Sequence, residues 1–424
     1  WLERMSAEIP AGTGSSVPFV HLLWPVVADA WDRLVSVHES LFATVTPVAA
    51  DHLRRGLLVR LSMVATPCLS DLMWQSVPFG RRFLAESGPV QDNPPREHYA
   101  RFCRAQADDG LSSVLTRFPV LGGLLARVVQ QWARVTVEML ERLAVDRPAL
   151  AAKLGIPQDA PLTEAMGAAG DTHNAGRSVS ILGFGDTRVV YKPRSVALEE
   201  LYHRHAMALS TLTPDDPLRA VAVLARTDAD GDYGYCEYVS RQPCTTDDEL
   251  RRFYRNAGRT LALLHVLAAT DCHHENLIAV GDQLVPVDGE TLFDTAPPPT
   301  VPQSATADAS NANGIPASVQ RVGILPTWLW LDGRRTALDV SALGVAPGSV
   351  HPIERRGWRS INSDLMARGD VEMVVDHPTS LPTVTNTAGA VGEYVDDVVD
   401  GFTGAYRSLA ARADALSQQL STET

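Results

Sequence analysis

The chain has 424 residues, a net charge of −13 and 45% hydrophobic residues. That length fits two or three domains with sizeable cores, and the acidic balance excludes nucleic acid or an anionic membrane surface as the main partner. The longest apolar runs are broken by charges, which predicts no membrane-spanning segment. Five cysteines (Cys68, Cys103, Cys236, Cys244, Cys272) without CxxC spacing argue against a disulfide framework or a structural zinc site. They place the chain in a reducing, cytoplasmic setting. No signal peptide is visible, and because the first residue is Trp1 the natural N-terminus is expected upstream.

Residues 1 to about 165 read as helices. Apolar residues recur at three- and four-residue spacing over 26–34, 121–129 and 135–143. The segments 88–95 and 146–161 read as connectors. Nothing in this region looks catalytic.

From Gly170 the pattern changes. Ser178 to Phe184 and Arg188 to Tyr191 alternate like a hairpin, with Gly183-Phe184-Gly185-Asp186 at the turn. Those two glycines are a weak phosphate-loop signal, and neither GxGxxG nor Walker A occurs. A helix is expected from about Val196 to Leu212, strands at Ala220 to Arg226 and Tyr233 to Val239, and a long helix from Asp247 to Leu267. That helix delivers the chain to Asp271-Cys272-His273-His274-Glu275-Asn276. Two short strands around Gly281-Asp282 then lead to Asp288-Gly289-Glu290. Residues 294–320, rich in Pro, Ala, Ser, Thr and Asn, read as a flexible loop in the place of an activation segment, or as an ordinary insertion. A final helix is expected from about Val391 to Leu420.

An Asp five residues before an Asn on one tight loop, with a second Asp on the following strand, is the arrangement that holds metal and a transferring phosphate in phosphotransferases. Here Asp271 precedes Asn276 by five residues, and Asp288 follows by twelve. Asp271 would orient or deprotonate the accepting hydroxyl. Asn276 and Asp288 would hold Mg²⁺, an ion that prefers oxygen ligands. Glu290 shares a face with Asp288 if the strand continues, and would share the metal. His273 either contacts phosphate or substrate, or is a structural histidine of the loop. Only two lysines occur, Lys153 and Lys192. Lys153 has an ordinary helical surface context, whereas Lys192 ends a β-like run and would neutralise nucleotide phosphates. Glu199 or Glu200 would pair with it. Tyr235 to Tyr238, including Glu237, is where a hinge would meet adenine. Cys272 reads as a packing residue. Upstream, Asp171, His173 and Arg177 either bind phosphate or a flexible substrate, or form a turn capped by Asp171 with Arg177 solvated. The order of elements is that of an α+β, two-lobed kinase-like core behind an all-helical N-terminal region.

The chain resembles the dehydratase region of class II (LanM-type) lanthipeptide synthetases. The resemblance rests on Phe118-Pro119-Val120-Leu121, Gly170 to Val179, Val190-Tyr191-Lys192-Pro193-Arg194-Ser195, Phe253 to Gly258, Asp271 to Asn276 and Asp288 to Phe293. It continues through Asp339 to Gly344, Ile361 to Met366 and Gly401-Phe402. It implies a fold related to lipid kinases. It also implies ATP- and Mg²⁺-dependent phosphorylation of Ser and Thr in a precursor peptide with a leader, followed by phosphate elimination to dehydroalanine or dehydrobutyrine. The kinase roles fall on Lys192, Asp271, His273, Asn276, Asp288 and Glu290, and handling of the phosphorylated peptide on Asp171, His173 and Arg177. The expected divisions are 1–165 helical, 166–240 a small lobe with Lys192, 241–293 the catalytic core, 294–320 the activation-like loop and 321–424 a C-terminal part of the dehydratase.

Three departures stand out. Gly289 replaces an apolar residue, Ser363 replaces a common Thr, and the sequence stops at Thr424, before the family's elimination segment and zinc cyclase domain. A fragment of a longer synthetase or a shortened kinase-only relative is therefore expected, with Trp1 favouring the fragment. A small-molecule or lipid kinase, or a silent leader-binding module, are the alternatives. Intact Lys192, Asp271, Asn276 and Asp288 argue against the silent module.

Overall fold

The computed structural model describes residues 9, 16–78, 80, 83, 85, 91–167, 175–212, 217–294, 318–330, 337–344, 350–374, 379–384, 387–388 and 391–423. It is a mixed α+β protein with a helical N-terminal region. Two compact units are formed: residues 1–193 with 354–371, and residues 194–353 with 372–424.

The first unit opens with α1 (Val20–Val37), α2 (Glu39–Phe42) and α3 (Pro47–Ser76), followed by α4 (Glu97–Asp108), α5 (Ser112–Arg117) and α6 (Pro119–Leu154). Helix α3 starts where Thr46 caps it, accepting the Ala49 N–H at 3.4 Å, with Pro47 in the first turn. Proline also opens α6, and Gly155 closes it in the left-handed conformation (φ 69°). The connector expected over 146–161 is therefore helical to Leu154, passing through Pro148. Leu57, Leu58, Leu61, Leu69 and Met73 of α3 are buried, and the Trp132 indole of α6 donates to the Leu53 carbonyl at 3.1 Å. By length and composition α3 is apolar enough to cross a membrane, and half of its most apolar stretch is buried inside the fold. The charges expected to break the longest apolar runs are in this stretch Arg60 and Asp71, within residues 56–76.

An antiparallel meander of β1 (Glu164–Gly167), β2 (Ser180–Phe184) and β3 (Thr187–Lys192) follows. β1 was not expected in a region that reads as helical. Its four residues carry little strand signal and are ordered by pairing with β2. Gly185 and Asp186 form a two-residue turn with φ 68° at Gly185. Gly183 has a packing reason, because a Cβ there would lie 2.9 Å from that of Glu164. The 354–371 segment supplies a buried node: Asn362 accepts the Phe19 N–H (2.7 Å) and the Tyr99 hydroxyl (2.9 Å), and Asp364 accepts the Tyr99 N–H (2.8 Å).

The second unit contains α7 (Ala197–Leu212), the hairpin β4 (Val223–Asp228) and β5 (Gly231–Glu237), α8 (Asp247–Val266), the hairpin β6 (Leu277–Val280) and β7 (Gln283–Pro286), the pair β8 (Trp328–Trp330) and β9 (Ala337–Asp339), and α9 (Val395–Ala410) and α10 (Ala413–Glu423). Thr246 caps α8 by accepting from Glu249 N, while the Glu249 carboxylate takes the Thr245 N–H at 2.5 Å. Helix α9 lies directly on α8. A Cβ on Gly258 would stand 2.1 Å from the Val398 carbonyl oxygen, and one on Gly401 would stand 1.9 Å from that of Arg255. Two glycines thus permit the close crossing, with Arg255 paired to Asp397 at 3.0 Å and Tyr254 stacked on Tyr394 at 4.6 Å. The single C-terminal helix expected over 391–420 is instead a 3₁₀ turn (Val391–Glu393), α9 and α10. Phe253, Tyr254, Leu261, Leu264, Leu277 and Leu284 lie in the core that supports the loop after α8.

Candidate active site

Helix α8 ends at Val266, and the next residues turn sharply. Ala268 (φ 50°) and Asp271 (φ 59°) are both left-handed, a conformation that costs non-glycine residues roughly 1–2 kcal/mol each, and less for Asp. Hydrogen bonds hold the turn. Cys272 N–H donates to the Val322 carbonyl at 2.8 Å, and Asn276 N–H to the His273 carbonyl at 3.1 Å. The Asn276 side-chain amide donates to the Asp271 carbonyl at 2.8 Å, closing the loop across its ends. Its amide oxygen is left as the acceptor end. On the far side, the β6–β7 hairpin returns the chain so that Val287 N–H donates to the Asn276 carbonyl at 3.0 Å. The sequence-expected approach of Asp288 to Asn276 is thereby formed in the backbone. Helix α8 fixes the hairpin's tip, with Asn256 Nδ2 on the Asp282 carbonyl at 2.9 Å and Arg252 on the Asp282 carboxylate at 3.1 Å.

The Asp271 carboxylate is 56% exposed, and His273 Nε2 lies 3.4 Å from its Oδ1. His273 Nδ1 accepts the Glu275 N–H at 3.2 Å, and the residue bridges Ser341 across the backbone. The histidine therefore has structural bonds and also reaches the exposed carboxylate. Cys272 is buried, and burial, followed by the Asp271 and Asp288 charges, pushes its thiol up to about 12. It is a packing residue and holds no thiolate at neutral pH.

The strand expected to carry Asp288 and Glu290 on one face ends at Pro286. Asp288 instead begins a turn, its Oδ1 accepting the Glu290 N–H at 3.4 Å. Thr270 N–H donates to the Thr291 carbonyl at 3.2 Å and Phe293 N–H to that of Leu267 at 2.9 Å, so this turn lies along the residues before Asp271. Gly289 has a physical reason: a Cβ would lie 3.2 Å from Glu199 N and 3.3 Å from its Cα. The oxygen donors of Asn276, Asp288 and Glu290 suit a hard divalent cation. Among the described residues no three of His, Cys, Asp and Glu gather into a metal cage.

Arg194, which the spacing argument did not single out, binds this carboxylate set. Its guanidinium contacts Asp288 (2.5 Å), Glu199 (2.9 Å) and Glu290 (3.3 Å). Of the two glutamates weighed as partners for Lys192, Glu199 is the buried one and Glu200 is half-buried. The Glu237 carboxylate pairs with Arg219 at 2.8 Å and accepts Ala222 N–H, and its own N–H goes to the Ala222 carbonyl.

In the first unit, Lys192 ends β3 and is buried. Its neighbour Tyr191 accepts from Arg142 Nη1 at 2.9 Å. Arg142 pairs with Glu138 at 2.7 Å, and Glu138 in turn takes Arg177 through both oxygens at 2.9 and 2.8 Å. Arg177 is thus neither solvated nor open-handed. Arg60 of α3 holds the Gly176 carbonyl (2.9 Å) and the Ser178 hydroxyl (3.2 Å). Asp171 and His173 lie outside the described residues, as do 295–317 of the activation-like loop.

Residues 118–422 match the family described as Domain of unknown function (DUF4135). The chain belongs to that family. The DUF4135 match starts at the residue before α6 and takes in the loop, the hairpin and every candidate residue. The chain is also similar to the Lacticin 481/lactococcin biosynthesis protein LcnDR2 of Lactococcus lactis subsp. lactis, with 23% identity over 352 residues, 80% of this chain and 37% of the relative. It spans little more than a third of that relative's length.

Proposed function

We propose that this chain transfers a phosphoryl group from ATP to Ser and Thr hydroxyls of a ribosomally made precursor peptide, the first step of their dehydration in lanthipeptide biosynthesis. The observation that carries the reading is the closed loop: Asn276 tied to the Asp271 carbonyl at 2.8 Å and Val287 to the Asn276 carbonyl at 3.0 Å. It sets an exposed Asp, an Asn and a second Asp on adjoining stretches, as phosphoryl transfer requires. Similarity to a protein named for lacticin 481 and lactococcin biosynthesis supports a peptide acceptor with a leader. A two-lobed kinase-like core belongs to the same proposal.

Asp271 receives the proton of the accepting hydroxyl and aligns it. His273, 3.4 Å away, orients that carboxylate. Lys192 holds nucleotide phosphate, and the segment with Glu237 faces the base. Asn276, Asp288 and Glu290 hold Mg²⁺, which when bound neutralises phosphate charge. Asp171 and His173, with Arg177 fixed by Glu138, handle the phosphorylated peptide. The test is the intact mass of the precursor peptide encoded beside this gene after incubation with the chain and Mg-ATP, with Lys192→Met as control. Added phosphate, or loss of water, in the wild type alone is expected. An unmodified peptide alongside phosphorylation of a lipid or small molecule would refute the peptide acceptor.

A further inference from the structure

We infer that Arg194 is a built-in counter-cation of the metal carboxylates, a positioning residue that sets how tightly the loop takes a divalent ion. The inference rests on the metal assignment above. One guanidinium contacts three carboxylates from two stretches of chain. Nη2 lies 2.5 Å from Asp288 Oδ1 and 2.9 Å from Glu199 Oε1, and Nε lies 3.3 Å from Glu290 Oε2. Nη1 donates to the Ser195 carbonyl at 2.9 Å, which holds the fork to its own backbone.

Charge and burial give the contacts their meaning. Glu199 is 3% exposed, and a carboxylate so buried requires a charged partner. Arg194 supplies positive charge to it and at the same time reaches outward to Asp288 and Glu290. Gly289, without a Cβ, lets the Asp288 turn lie against the backbone of Glu199. The arginine's anchor and the metal carboxylate are therefore held a fixed distance apart.

A divalent ion on Asp288 and the guanidinium on the same carboxylate repel one another. An ion held by Asp288 would require Arg194 to withdraw from that carboxylate, and the Glu199 contact would keep the arginine within reach of it. Arg194 is thus a tethered competitor that weakens metal binding in the resting chain and closes the carboxylate set between turnovers.

The experiment is Mn²⁺ binding to the whole chain without nucleotide, followed by electron paramagnetic resonance, for wild type, Arg194→Gln, Arg194→Lys and Asp288→Asn. Arg194→Gln is expected to lower the Mn²⁺ dissociation constant about tenfold or more, and Arg194→Lys, which keeps the charge, to stay near wild type. Glu199→Gln combined with Arg194→Gln removes the buried carboxylate as well. It should show the same tightening, which covers the case in which Arg194→Gln alone does not fold. Unchanged or weaker binding in both Gln variants, with Asp288→Asn still abolishing it, overturns the competitor role and leaves the metal assignment standing. Undiminished binding in Asp288→Asn overturns the metal assignment itself.

Discussion

His21 makes the stability of the first unit depend on pH, with a sign and size that follow from its surroundings. The ring is 4% exposed. Its Nδ1 lies 2.9 Å from the Tyr99 hydroxyl, whose own proton goes to Asn362 Oδ1, so Nδ1 is the donor of that pair. Burial, and secondarily the Arg96 charge, lowers its pKa from 6.5 to about 4. The unfolded chain therefore binds a proton near pH 6.5 that the folded chain refuses until about pH 4, and stability falls as pH drops through that window. Linkage across these two values gives a loss of about 2 kcal/mol between pH 7 and pH 5. Urea midpoints at pH 7, 6 and 5 measure it, comparing wild type with His21→Gln, because surface carboxylates titrate equally in both. The wild type should lose about 2 kcal/mol more than the variant. Parallel curves would refute a neutral, buried His21.

Other consequences can be measured directly. Glu138→Gln removes the carboxylate shared by Arg142, itself buried, and Arg177, and should cost about 3 kcal/mol by urea unfolding; a change below about 0.5 kcal/mol, the range of surface substitutions, would mean the network is solvated. Gly401→Ala drives a Cβ to 1.9 Å from the Arg255 carbonyl oxygen and should destabilise by about 2–3 kcal/mol, seen as a lower melting temperature. Gly404→Ala in the same helix meets nothing within 4 Å and should stabilise by about 0.5–1 kcal/mol. Cys272, buried with its thiol pushed to about 12, should resist iodoacetamide at pH 8 until the chain unfolds, as intact mass would show.

What could be read from the sequence was local. The β6–β7 hairpin carries its own signals, two apolar runs around Gly281-Asp282, and the Asp271 to Asn276 spacing lies within one turn. Loop and hairpin therefore followed from neighbours. The fate of Asp288 and Glu290 did not, because it depends on Gly289 meeting Glu199 ninety residues upstream. Arg194 was visible only as the second residue after a strand lysine, and nothing in its flanks shows that its partners are Glu199, Asp288 and Glu290. Gly258 and Gly401 looked like motif residues without a cause until the α8–α9 crossing supplied one. Glu138 sat in a stretch that seemed only helical, yet it ties the loop of Arg177 to the strand of Lys192 through Arg142 and Tyr191. The loop groups of Asp271 and Asn276 are thus placed by a short-range turn, whereas Arg194 reaches Asp288 and Glu290 from a distant stretch of the chain. Long-range contacts of that kind are the ones least legible from spacing, and Arg194 is where a substitution beyond the acidic loop residues should change the site most.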